Sequence, residues 1–277
     1  MDVPAAIVGV VLAELAVGGL LLLWGAPTWG AVRHGYEILL GGTLALIGWG
    51  AWAALGNPLD TVRAEGAVGD ADLLARALLA MTILGTASVV ALAVRLATPA
   101  RVLGILAAAA GLVTFVPLAQ IRADRGGIGG IAQGIVELAL GALLLGAIWD
   151  GMILGHWYLV ERKLSNRYMV WMARANVVAV AGGLVGVLLS ARSSVPCDGL
   201  AGAELEQCAF GFSPLLSVGS MTVWMGLGVI ALLAVIAVFN VKLAIEGGRS
   251  IQAGTGMFYL AVILAPAAEF AAKVRFF

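Results

Sequence analysis

Charge is what this chain has least of. Lysine and arginine together number 16, aspartate and glutamate another 16, so only 12% of 277 residues are charged. Water-soluble domains carry about twice that share, roughly 25%. With 62% hydrophobic residues beside this deficit, most of the surface does not face water. The formal net charge is zero, so nothing points to a nucleic-acid partner. The apolar content excludes low-complexity disorder. Histidine and cysteine occur only twice each. Signatures of soluble enzymes are missing: there is no HExxH, no P-loop, no CxxCH haem-attachment site and no paired CxxC. The glycine run GGIGGIAQG near residue 130 lacks the G-x-G-x-x-G spacing, and no strand precedes it.

What the chain has in quantity is long apolar runs and small residues. Its 38 glycines suit membrane helices, which approach closely because lipid removes the hydrophobic drive for their association. A spanning helix needs about 20 apolar residues. Eight segments meet that length, at about 3–24, 35–55, 74–97, 102–121, 131–160, 168–190, 215–239 and 252–272. The expected fold is all-α: a polytopic integral membrane bundle forming a single transmembrane domain over 1–277. The breaks carry turn formers and charges, the longest being 56–73 and 191–214. The first segment has no basic n-region, and its apolar run is long enough to span, so it reads as a retained helix rather than a cleaved signal.

Orientation follows from lysine and arginine near helix ends. Nine lie on the side of loops 1, 3, 5 and 7: Arg33, Arg95, Arg101, Arg162, Lys163, Arg167, Arg174, Lys242 and Arg249. Seven lie on the other side: Arg63, Arg76, Arg122, Arg125, Arg192, Lys273 and Arg275. Cys197 and Cys208 share the sixth loop and suit an intraloop disulfide, which persists on the oxidising side. Two cysteines without a nearby histidine do not complete a zinc shell. The expectation is a bacterial cytoplasmic membrane protein with both termini and loop 191–214 outside.

Chemistry-bearing residues concentrate in DGMILGHWYLVERK, residues 150–163. Trp157 and Tyr158 fit a bilayer interface, and Glu161, Arg162 and Lys163 mark the exit into water. Asp150 lies roughly 9 Å deeper, where an acid is costly and faces the bundle interior or a polar cavity. At 100° per residue Asp150 and Trp157 share a face, and His156 points away. The other histidine, His34, stands in HGYE with Tyr36 and Glu37, at the same predicted face of the membrane. Three readings stay open. The histidines cap helix ends; or His34, Tyr36, Glu37, His156, Trp157, Tyr158 and Arg162 hold a quinone headgroup with Asp150 exchanging its protons; or one haem b sits between His34 and His156. Three further acids lie within apolar runs: Glu14 in VVLAELAVGG, Glu137 in GIVELALG and Glu269 in PAAEFAAKVRFF. Glu269 stands four residues before Lys273, a spacing that suits a local pair at the interface. Glu14 and Glu137 suit proton or cation movement, or hydrogen bonds to Gln133, Asn176, Ser217 or Thr222.

Eight apolar helices in this length resemble the quinone-reacting membrane anchors of bacterial respiratory complexes, of the NrfD and DmsC type. The resemblance lies in helix count and size over the whole chain. It implies a membrane subunit of an electron-transfer complex, working with other protein subunits that carry iron–sulfur clusters. Two other classes compete. A proton- or cation-coupled transporter would use Glu14, Glu137 and Asp150, with Pro117 and Pro266 interrupting helices. A structural or assembly subunit would use none of them.

Overall fold

The computed structural model describes residues 3–28, 30–32, 34–124, 129–161, 163–192 and 218–273. The predicted Cys197–Cys208 bond, Arg162 and most of loop 191–214 fall outside these residues. Among the described residues the fold is all-α, with eight helices: α1 (Val3–Gly25), α2 (His34–Ala64), α3 (Val68–Ala93), α4 (Ala97–Asp124), α5 (Gly130–Val160), α6 (Arg167–Arg192), α7 (Val218–Glu246) and α8 (Ser250–Lys273). Each is long and apolar enough to cross a membrane. Leu46 and Ile263 are 73% and 72% exposed; large apolar side chains turned outward on long apolar helices face lipid rather than water. The chain is a multi-pass helical membrane protein.

The helix ends differ most from the hydropathy reading between α2 and α3. Residues 56–73 were expected as a long loop. Instead α2 runs on through Pro58 to Ala64, and three residues separate it from α3. The charges that look like loop composition stitch the extension together. Arg63 bonds Asp60 at 2.7 Å and Asp72 of α3 at 3.0 Å. At 31 residues α2 and α5 are each roughly 46 Å long, more than the ~30 Å hydrocarbon layer needs. Tight turns reverse the chain elsewhere. Arg95 takes a positive φ of 63° after α3, and the Arg95 and Leu96 amides return to the Leu92 and Ala91 carbonyls.

Two helices form the centre. In α1, 78% of the most apolar stretch is enclosed, against 33% in α2. Helix α1 packs on α2, α4 and α5, and α5 in turn on α4, α6 and α8. The α1–α5 crossing is closest at Gly18, where an added Cβ would run into the Ala142 backbone, and at Gly146, where it would run into Gly18. Small residues there let the two backbones touch, the arrangement expected where packing rather than water expulsion holds helices together. All odd-numbered helices start on the membrane side where α1 starts. That side is termed the N-side, and the side of the α1–α2 turn the opposite side.

Candidate functional site

The N-side half of this core is charged. Glu14 of α1, Arg122 of α4, Glu137 of α5, and Glu269 and Lys273 of α8 are each no more than 2% exposed. Five ionisable side chains from four helices therefore share one apolar interior. Arg122 Nη2 donates to Glu137 Oε1 at 3.1 Å. Gln133, one turn before Glu137, donates to the same oxygen at 2.7 Å and to the Leu189 carbonyl of α6 at 3.1 Å. Lys273 Nζ stands 2.8 Å from Glu14 Oε1 and 3.4 Å from Glu269 Oε2, and donates to the Glu137 carbonyl at 3.4 Å. The Glu14 contact is one of charge rather than of alignment, because neither Glu14 oxygen has a partner in hydrogen-bond geometry.

Gly141 makes this convergence fit. It lies one turn beyond Glu137 on α5, and a Cβ there would stand 2.7 Å from both Glu14 Oε1 and Glu269 Oε2. Those two oxygens are therefore within 5.4 Å (twice 2.7 Å) of each other. Three carboxylates face two cations among the described residues. Buried charges persist where they are paired, and this count leaves one carboxylate in excess. The excess falls on Glu14 and Glu269, which share one ammonium, while Glu137 has the guanidinium.

The charged core corrects the sequence reading at two positions. Glu269 and Lys273 are not a local pair at the interface but part of the buried core. Arg122, counted as a loop residue, is 1% exposed inside the bundle. Neither cation was recognised as a core residue, because each stands at the end of an apolar run, where a basic residue reads as a membrane flank. The signal available was charge balance: three acids inside apolar runs need cations near them. Of the suggested neutral partners Gln133 does bond Glu137, whereas the buried Asn176 amide meets no partner; the side chains of Ser217 and Thr222 lie outside the described residues.

The opposite half contains the residues of the 150–163 stretch, and the structure splits them. His34 Nε2 lies 2.6 Å from the Leu92 carbonyl at the end of α3, and its Nδ1 lies 3.7 Å from Glu37 Oε2. The other Glu37 oxygen accepts from the Gly30 amide at 2.8 Å. This pair fastens the α1–α2 turn and the α3 C-terminus. His156 is exposed, with Nδ1 3.1 Å from the Tyr259 hydroxyl of α8. The two imidazoles are thus committed to α3 and to α8, helices that do not pack on each other. Tyr158 is tied to loop 5, donating to the Ser165 carbonyl at 2.5 Å and accepting from the Met169 amide.

Tyr36 and Trp157 do come together, on the same half of the bundle as Asp150. The Tyr36 and Trp157 rings are 6.4 Å apart, with the indole lying over Gly35. Asp150 lies within electrostatic reach of the Tyr36 phenol. Both Asp150 oxygens, the Tyr36 hydroxyl and the Trp157 indole N–H are buried without a hydrogen-bond partner; Thr28 lies beside the phenol without completing one. Each such group left unmet costs about 1–3 kcal/mol.

No family model matches this chain, and neither a curated protein nor a solved structure does. Among the described residues no group of histidine, cysteine and acidic side chains is placed to hold a metal ion.

Proposed function

We propose that this protein carries protons within the bilayer, as a proton-coupled membrane transporter. The observation that supports this reading is the N-side core: among the described residues, three carboxylates share two cations inside helices that cross the membrane. A network serving only to pin helices would be balanced. An excess carboxylate in a low-dielectric interior is compensated by a further positive charge, and a proton is the smallest that fits between Glu14 and Glu269. Ionisable groups at such depth mark ion and proton pathways by default. The proton enters from the N-side. With Arg122 and Lys273 drawn into the core, the basic residues near helix ends number nine on the opposite side and five on the N-side. The opposite side is then cytoplasmic and the N-side external.

The test is potential-driven proton uptake by the purified chain in liposomes, read by an internal pH-sensitive dye. Wild type should acidify or alkalise the lumen according to the sign of the imposed potential. Glu14→Gln should fold and lose that flux. Flux equal to protein-free liposomes from well-folded wild type would refute the proposal.

One observation favours a second reading, the quinone-reacting subunit of an electron-transfer complex. Tyr36 and Trp157 pack together and hold two unpaired donors, and the Asp150 carboxylate lies within electrostatic reach of Tyr36, the groups a quinone headgroup needs. The histidines are not part of that set. A quinone analogue that quenches wild-type tryptophan fluorescence but not that of Trp157→Phe would support it.

A further inference from the structure

The outward face of α6 and α7 carries charge that meets no partner among the described residues. In their opposite-side half these helices hold Arg167 and Arg174 on α6, and Lys242 and Glu246 on α7. Arg167 stands over the ring of Tyr168, 4.6 Å from its centroid. Arg174, Lys242 and Glu246 are exposed, and no ion pair or side-chain hydrogen bond joins any of them to another described residue. Lys242 lies four residues inside the end of α7 and Arg174 seven inside the start of α6, roughly 6 and 10 Å along the helices. A cation at that depth on a lipid-facing surface is costly, and its long side chain extends toward the headgroups to reach a counter-charge.

Between these helices runs a groove of ≈ 460 Å³, lined by Val177 of α6 and by Val238, Val241, Lys242, Ile245 and Glu246 of α7. Ligand clefts measure roughly 300–1,000 Å³. The apolar lining residues are all β-branched, so their side chains are stiff and hold the groove's shape rather than fold into it. Val238 and Ile245 are 65% and 59% exposed, so the groove opens to lipid. Arg174 belongs to its outer end. It precedes Val177 by three residues and so shares that face of α6, one turn nearer the opposite side. Helix α7 runs antiparallel, so Lys242, Ile245 and Glu246 lie in the same direction from Val241. The groove is therefore apolar toward the membrane centre and charged toward the headgroups, the order of acyl chain and phosphate in a phospholipid.

We propose that this groove binds one anionic phospholipid of the phosphatidylglycerol type, its phosphate held by Arg174 and Lys242 and one acyl chain lying along Val177, Val238, Val241 and Ile245. The charge count selects the headgroup. Arg174, Lys242 and Glu246 sum to one net positive charge. A lipid with one net negative charge balances it, and a zwitterionic lipid leaves it. A second copy of this chain fits less well, because Glu246 is the only acid in α6 and α7, so pairing the two faces would set two cations against each acid. Basic sites between transmembrane helices take anionic headgroups where the leaflet is anionic, on the cytoplasmic side, and the opposite side carries the larger share of basic residues. The site stands apart from the proton reading and does not depend on it.

The experiment is native mass spectrometry of the full chain, delipidated in detergent and offered phosphatidylglycerol and phosphatidylcholine with identical acyl chains. Wild type should retain one phosphatidylglycerol with about tenfold preference. Arg174→Gln and Lys242→Gln should each lower that preference about fivefold, the share of one basic residue at an anionic lipid surface, and the double variant should abolish it. Arg76→Gln, which removes an 81% exposed cation from the N-side half of α3, should leave it unchanged. Val238→Phe fills the groove without changing charge and should cut phosphatidylglycerol retention severalfold; it decides the question if the charge variants fail to fold. No preference in wild type, a preference that survives the double variant, an equal loss in Arg76→Gln, or full retention in Val238→Phe would overturn the site. A dimer in place of the lipid adduct, broken by the same two charge substitutions, would overturn it too and make this face a contact between copies of the chain.

Discussion

The two ends of α5 bury acids to the same degree and treat them in opposite ways. At Glu137 the carboxylate meets a guanidinium and a side-chain amide, and Glu14 and Glu269 share an ammonium next to it. At Asp150, among the described residues, no cation acts on the carboxyl and no hydrogen bond is made. Burial alone therefore does not distinguish a structural acid from a working one; the partners do. The N-side cluster ties four helices together and, among the described residues, carries one carboxylate too many. The opposite site ties nothing together. Removing a cation should damage the first, and neutralising Asp150 should spare the fold at the second.

The largest effect is expected from Arg122→Leu, which strands Glu137 in the core. Breaking a buried pair by deleting one partner costs about 3–5 kcal/mol, enough to empty the membrane fraction of folded protein. Yield and monodispersity after extraction would show it, and Arg122→Lys should recover part of the loss. Gly141→Ala comes next. Its methyl group would stand against two carboxylate oxygens, and overpacking of this kind costs about 1–3 kcal/mol; a thermal melt in detergent reads it directly. Smaller again is His34→Ala. It removes one hydrogen bond to the α3 C-terminus and one contact to Glu37, worth about 1 kcal/mol. His156→Phe should change least, since that ring is exposed and its hydrogen bond is to Tyr259. A melt of His156→Phe shifted as far as that of Arg122→Leu would mean that the exposed site, not the charged core, governs the fold.

Much of the architecture was legible in the sequence, because span length and apolar runs are set by the bilayer and need no tertiary information. All eight helices fall where hydropathy places them. The extension of α2 to Ala64 was not legible, since Asp60, Arg63 and Asp72 read as loop residues until their pairing across two helices is seen. The core acids were legible singly. Glu14, Glu137 and Glu269 each stand out within an apolar run, but nothing in the linear order says that they converge on Gly141. Arg122 and Lys273 were hidden by position, each looking like an ordinary flank. The histidine pair shows the reverse failure. Matching local patterns, H-G-Y and H-W-Y, suggest a shared pocket, yet helix packing sends one ring to α3 and the other to α8.

The charge count in the N-side core is the centre of this account, and the melting temperatures of a carboxamide series test it most directly. Glu14→Gln and Glu269→Gln, made singly, remove the excess carboxylate and leave each cation with a partner. Each should melt within about 1 kcal/mol of wild type, the scale of one hydrogen bond. The double variant removes both carboxylates from Lys273 and should lose about 3–5 kcal/mol, as should Glu137→Gln by removing the carboxylate that faces Arg122. Single variants at 14 or 269 that melt as low as the double would contradict the excess, and with it the proton.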